Sequence, residues 1–176
     1  SYGRGGVSVV KAADTITVEN SLFSSNVAVE GACYSIFNAR IFWLLESVFV
    51  ANTAKDSTAV LVLGNAERVS ISNCKLYKNK AKKTIGCLHI SECQDIVISH
   101  CKIIENFASS SNIIYIESFK FLLVTNNNFV ENKKVGVLQV IRGDRYLDIE
   151  KYLFKKSQLC CSWWWHLLID HKAYQN

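Results

Sequence analysis

The sequence predicts an all-β fold, a right-handed parallel β-helix with three short strands per coil, about six coils and a non-repeating C-terminal tail. Three observations predict it. An asparagine recurs every 26 or 27 residues, apolar columns keep phase with it, and residues alternate in twos inside each unit.

The asparagines are Asn26, Asn52, Asn79, Asn106 and Asn132. Ten residues before them stand Ile16, Phe42, Val69, Ile96 and Leu122, and eight before stand Val18, Leu44, Ile71, Ile98 and Val124. This two-residue period makes a first strand with one face buried. A polar kink follows at Asn20, Glu46, Asn73, His100 or Asn126. The second strand carries Phe23, Phe49, Leu76, Ile103 and Phe129, three before the asparagine. A turn is expected at the asparagine itself, a residue that tolerates the left-handed conformation and can bond its own backbone.

Two residues later an alanine recurs at 28, 54, 81 and 108, and a third strand follows. Its segments are Gly31 to Ile36, Thr58 to Leu63, Ile85 to Ile90, Asn112 to Ile116 and Val135 to Ile141. Strict alternation would turn Tyr34, Leu61, Leu88 and Ile114 inward. Val60, Val62, Cys87, His89, Ile113 and Tyr115 would then form a largely apolar outward stripe, a candidate interaction face. The column Ser21, Ser47, Cys74, Cys101 and Asn127 places small polar groups beside a bend, where they can bond along the stack.

A worn sixth coil uses Ser157 for the asparagine, with Leu147, Ile149 and Phe154 on the inward columns. The repeat therefore accounts for residues 1–157 as one domain, and 158–176 reads as a cap or cover. At the front, Gly5 to Val10 already looks like a third strand, so the first coil is expected to present open edges to a protein partner or to more chain.

The unit ITVENSLFSSNVAVEG and its echoes VSISNCKLYKNKAKK, IVISHCKIIENFASS and LLVTNNNFVENKK resemble the parallel β-helix repeat of pectate-lyase-like proteins. The flavour is closest to repeats of polymorphic outer-membrane proteins and large protist surface proteins. The resemblance implies fold across residues 5 to 157; it leaves activity open, since lyases, hydrolases, adhesins and architectural proteins share this repeat.

Pectin-cleaving enzymes of this fold carry clustered aspartates or calcium-binding carboxylates, and those motifs are missing here. Asp14, Asp56, Asp95, Asp144, Asp148 and Asp170 fall mostly at coil corners. Neither His89 nor His100 has an acid obviously placed to orient it. Cys74 and Cys101 should be neighbours in adjacent coils, as a disulfide or as two thiols, and Cys160, Cys161, His166 and His171 match no standard zinc spacing. Arg142-Gly143-Asp144 spells an adhesion tripeptide at an expected turn. No catalytic residue, cofactor or metal is assigned.

Net charge is +5, with lysines concentrated at Lys75, Lys78, Lys80, Lys82 and Lys83 beside a single aromatic, Tyr77. That is a solvated face, and no nucleic-acid partner is expected. No apolar run reaches the roughly 18 residues of a spanning helix. The start has no methionine and no signal-peptide core, so the chain reads as a mature product or a piece of something longer. The leading function is a non-enzymatic structural, adhesive or assembly component at the cell surface or outside the cell, or else in an organellar or ciliary assembly. The alternative is a carbohydrate-active or polysaccharide-binding protein. There Glu92, Asp95 and Glu117 would converge near His89.

Overall fold

Each stretch of alternating residues extends as strand until a residue in the left-handed region turns the chain, and the next stretch repeats this one rung along. A computed structural model describes residues 6–83, 85–109, 112–133, 136–150, 153–155 and 168–169. The chain enters through β1 (Ser8–Val10). One coil comprises β2 (Ala13–Glu19), β3 (Leu22–Ser24), β4 (Val27–Ala28) and β5 (Tyr34–Phe37); the next, β6 (Ala39–Leu45), β7 (Val48–Val50), β8 (Thr53–Ala54) and β9 (Leu61–Gly64). After β10 (Arg68–Ser72), β11 (Lys75–Tyr77) and β12 (Lys80–Ala81), third strands run unbroken into the following first strands. These long strands are β13 (Leu88–Ser99), β16 (Ile114–Thr125) and β18 (Leu138–Glu150), with β14 (Lys102–Ile104), β15 (Phe107–Ala108), β17 (Asn128–Val130) and β19 (Leu153–Lys155) between or after them.

All ladders are parallel, and neighbouring strands are one coil apart in sequence. The second strands form one sheet, in the order β19-β17-β14-β11-β7-β3, and the short strands after the asparagines another, β15-β12-β8-β4. First and third strands share the largest sheet because β13, β16 and β18 belong to both ladders. Register bears out the apolar columns. Ile16, Phe42, Val69, Ile96, Leu122 and Leu147 pair in succession, as do Phe23, Phe49, Leu76, Ile103, Phe129 and Phe154. Phe42, Phe49 and Phe129 are fully buried, and the rings of Phe23 and Phe49 stack 4.8 Å apart. Stacking like on like lets one core cross-section serve every coil.

Three corners per coil hold left-handed residues. They are the expected kinks Asn20, Glu46, Asn73, His100 and Asn126; then Ser25, Ala51, Lys78, Glu105 and Glu131; then Asn38, Asn65, Glu92 and Ser118. Such a backbone costs a non-glycine residue about 1–2 kcal/mol. The turn expected at the repeated asparagine is therefore corrected by one position. The residue before it makes the turn, and the asparagine side chain points into the core.

The expected turn at Arg142-Gly143-Asp144 is also corrected, since all three lie inside β18. A bulge shifts the β16–β18 register just beyond, between the Phe119–Gly143 and Phe121–Tyr146 pairs. The ring of Phe119 lies against Gly143, where a Cβ would run into its Cζ. From the tail, β20 (Leu168–Ile169) adds to the sheet beside β18 through the pairs Asp148–Leu168 and Ile149–Ile169. Trp163 to Trp165, Cys160, Cys161, His166 and His171 lie outside the described residues.

Candidate functional site

Three features of this scaffold can bear function: the asparagine ladder, the outer face of the third-strand ladder and the first coil's edge. In the ladder, Asn26 Nδ2 donates to Asn52 Oδ1 at 2.9 Å, Asn52 to Asn79 at 2.9 Å, Asn79 to Asn106 at 3.0 Å and Asn106 to Asn132 at 3.1 Å. The backbone N–H of each donating asparagine reaches the same oxygen. The second amide proton goes backward, from Asn52 to Phe23 O, Asn79 to Phe49 O, Asn106 to Leu76 O and Asn132 to Ile103 O. Asn52, Asn79 and Asn106 are wholly buried, so only this complete bonding makes them tolerable there. The neighbouring small-polar column works as the sequence predicts: Ser21 N–H donates to Ser47 Oγ, and Cys101 N–H to Asn127 Oδ1.

The outward stripe needs correction. Val60, Cys87 and Ile113 are fully buried in the core. A bend just before each third strand breaks the alternation: the N–H groups of Val60 and Leu61 both donate to Cys87 O, and those of Cys87 and Leu88 both to Ile113 O. Two successive side chains therefore enter the core. Val62, His89 and Tyr115 do lie in one outward column, half-buried, in register with Ser35 and Gln139.

On that outer face the structure brings Glu117 to His89, as the carbohydrate-active alternative expected, and adds Tyr115 to the pair. His89 Nε2 lies 3.4 Å from Glu117 Oε1, Tyr115 donates to Glu117 Oε2 at 3.2 Å, and the His89 and Tyr115 rings meet edge to face at 5.4 Å. Glu117 thus orients His89, which outside that alternative was expected to lack an acid. The coil period held the signal: 26 residues beyond Ser91, two along from His89, falls Glu117. Glu92 and Asp95 do not join them. Glu92 turns the neighbouring corner and lines an open furrow with Asn38, Arg40, Asn65 and Glu67, while Asp95 is exposed in the first-strand ladder opposite Arg68. Asp14 is gripped by the Arg40 guanidinium, which holds its carboxyl below the usual range, and Asp56 pairs with Lys83. Among the described residues no three His, Cys, Asp or Glu side chains group to hold a metal.

A family model described as a right handed beta helix region matches residues 2–150. The chain belongs to that family. No curated protein and no solved structure matches it. The β-helix fixes the architecture and leaves chemistry to its surfaces. No helix among the described residues is long and apolar enough to cross a membrane. On the lysine face, Lys75 and Lys78 lie over the Tyr77 ring and Lys80 over Phe107.

Cys33, Cys74, Cys87, Cys93 and Cys101 are buried free thiols of the β-helix core. Burial pushes Cys33 up to about 12 and Cys93 to about 11, and raises Cys87 well above its ordinary range. Cys101 is raised as well, by its contact with Cys74 and by burial. Because the thiolate is the reactive form, Cys33, Cys87, Cys93 and Cys101 should resist a thiol-directed reagent at pH 8 until the chain is denatured. The linkage runs one way. An unfolded thiol ionises near 9 while the folded one keeps its proton, so this contribution is complete below pH 9 and is lost as pH rises toward 11–12. Urea midpoints measured from pH 7 to 11 should fall above pH 9, and a flat profile would contradict the burial of these groups.

Proposed function

We propose that the protein is a non-enzymatic structural or assembly component, a rigid β-helix that other polypeptide joins at its N-terminal end. One observation carries this reading. Among the described residues, strands β1, β2, β3 and β4 are each paired on one side only, and Val10, Ile16 and Phe23 stay partly exposed on columns that are fully buried further along. An unpaired edge over an open apolar core recruits strand. Solvated lysines guard natural edges, so Thr17→Lys with Leu22→Lys places them on exposed, outward positions of β2 and β3. Sedimentation should show wild-type mass rising with concentration and the double variant remaining monomeric. A wild-type chain that stays monomeric throughout would sink the proposal.

The resemblance of the repeat to surface-protein repeats supports an extracellular or cell-surface location, with an organellar or ciliary assembly as the second placement. The redox state of Cys74 and Cys101 in protein isolated from its source separates the two.

A second reading has its own observation, the His89–Tyr115–Glu117 cluster, since an oriented carboxylate beside an aromatic ring is how sugar hydroxyls and faces are met. Acidic and neutral polysaccharides, screened with and without calcium, would test it. Binding or cleavage abolished by Glu117→Gln and kept by Asp95→Ala would replace the assembly reading.

A further inference from the structure

Resting on the assembly reading, the polarity of the asparagine ladder goes further and selects the occupant of the open end. From Asn26 to Asn106 the backbone N–H and one Nδ2 proton point toward the C-terminal coil, so each Oδ1 from Asn52 to Asn132 receives two protons from the coil before it. Asn26 is the first rung. It donates forward to Asn52, but among the described residues nothing donates to its own Oδ1. Its second amide proton, which elsewhere finds a carbonyl of the preceding coil, meets only Cys33 Sγ at 3.9 Å. Five residues earlier Ser21 repeats the situation. Its Oγ donates to Glu19 O at 2.7 Å, while among the described residues nothing plays toward Ser21 Oγ the donor role that Ser21 N–H plays toward Ser47 Oγ.

The end therefore displays two acceptors, five residues apart, over an apolar floor of Ile16 and Phe23. A second copy meeting it face to face pairs strand edges at high concentration but sets acceptor against acceptor, which makes it the weaker occupant. A second copy stacked behind it would approach through its C-terminal end, where β20 already pairs with β18. Strands running in the same direction, with an asparagine at the rung, supply every missing group. We propose that the N-terminal end binds one further coil of this repeat, an extended segment of the form apolar-x-apolar-x-x-small polar-x-apolar-x-x-Asn-x-Ala. Its asparagine N–H and Nδ2 donate to Asn26 Oδ1, its small-polar N–H donates to Ser21 Oγ, and its apolar side chains cover Ile16, Val18 and Phe23. A carbonyl of the segment, three residues before its asparagine, accepts the second proton of Asn26.

Residues 66–83 have this form, with Val69, Ile71, Cys74, Leu76, Asn79 and Ala81 at the six positions. A labelled peptide of that sequence carrying Cys74→Ser, titrated into the full chain, should bind and slow hydrogen exchange across Ala13–Glu19 and Leu22–Ser24. The same peptide with Asn79→Asp, which exchanges donor for acceptor, should bind at least tenfold more weakly. A free peptide must be ordered as it binds, so a linked form is the second measurement. By register, residues 66–83 grafted in place of residues 1–4 continue the coil directly, and the graft should raise the melting temperature by several degrees, a gain that Asn79→Asp in the graft removes. Equal binding by the Asp or a scrambled peptide would overturn the inference in favour of unselective edge pairing. Absence of both peptide binding and graft stabilisation would overturn it outright, while the assembly reading would still be judged separately by the sedimentation of Thr17→Lys with Leu22→Lys.

Discussion

Replacing Asn79 with alanine should destabilise the protein by about 4 kcal/mol, because the change strands four groups at once. Asn52 loses the acceptor for both its backbone N–H and its Nδ2, Phe49 O loses a donor, and Asn106 Oδ1 loses one of its two. Neither Asn52 nor Asn106 has water to fall back on, as both are wholly buried. At the first rung the same substitution, Asn26→Ala, should cost about 1 kcal/mol, since Asn52 Oδ1 keeps the backbone N–H of residue 26 and only the weak contact to Cys33 Sγ is lost besides. Stacked coils derive their stability from nearest-neighbour interfaces, so a break in mid-stack also lowers cooperativity. Urea denaturation followed by hydrogen exchange should show the Asn79→Ala loss centred on β7, β11 and β14. Equal losses for Asn26→Ala and Asn79→Ala would show that the ladder is not a chain of buried bonds.

That contrast also marks what could be read from the sequence. The period, the inward columns and the polar kinks were legible because each coil solves the same packing problem with the same residue types. The role of the asparagines was only half legible. Recurrence showed that the position matters, but a corner and a buried ladder both favour asparagine, and only the left-handed Ser25, Ala51, Lys78, Glu105 and Glu131 reveal which one applies. The His89–Glu117 contact joins residues 28 apart on adjacent strands. It follows from the coil period plus a diagonal step, arithmetic that the columns made available.

The third-strand stripe failed for a different reason, and its failure yields the sharpest test of register. Alternation is a property of extended backbone, and the bend that aims two successive N–H groups at one carbonyl suspends it for one residue. Val60 and Leu61 consequently both face the core, after which the alternation resumes and Val62 points out beside Ser35 and His89. The same substitution two residues apart should then have opposite weight. Val60→Asp buries a carboxylate among apolar neighbours with no partner, which should cost about 4 kcal/mol or more and leave little folded protein at 37 °C. Val62→Asp sets its carboxylate at the half-buried outer face next to His89, and should cost below about 1 kcal/mol. Circular dichroism melts of the two variants decide the matter. Similar losses from both would mean that the bend does not exist in solution, and would return Val60, with Cys87 and Ile113, to the surface.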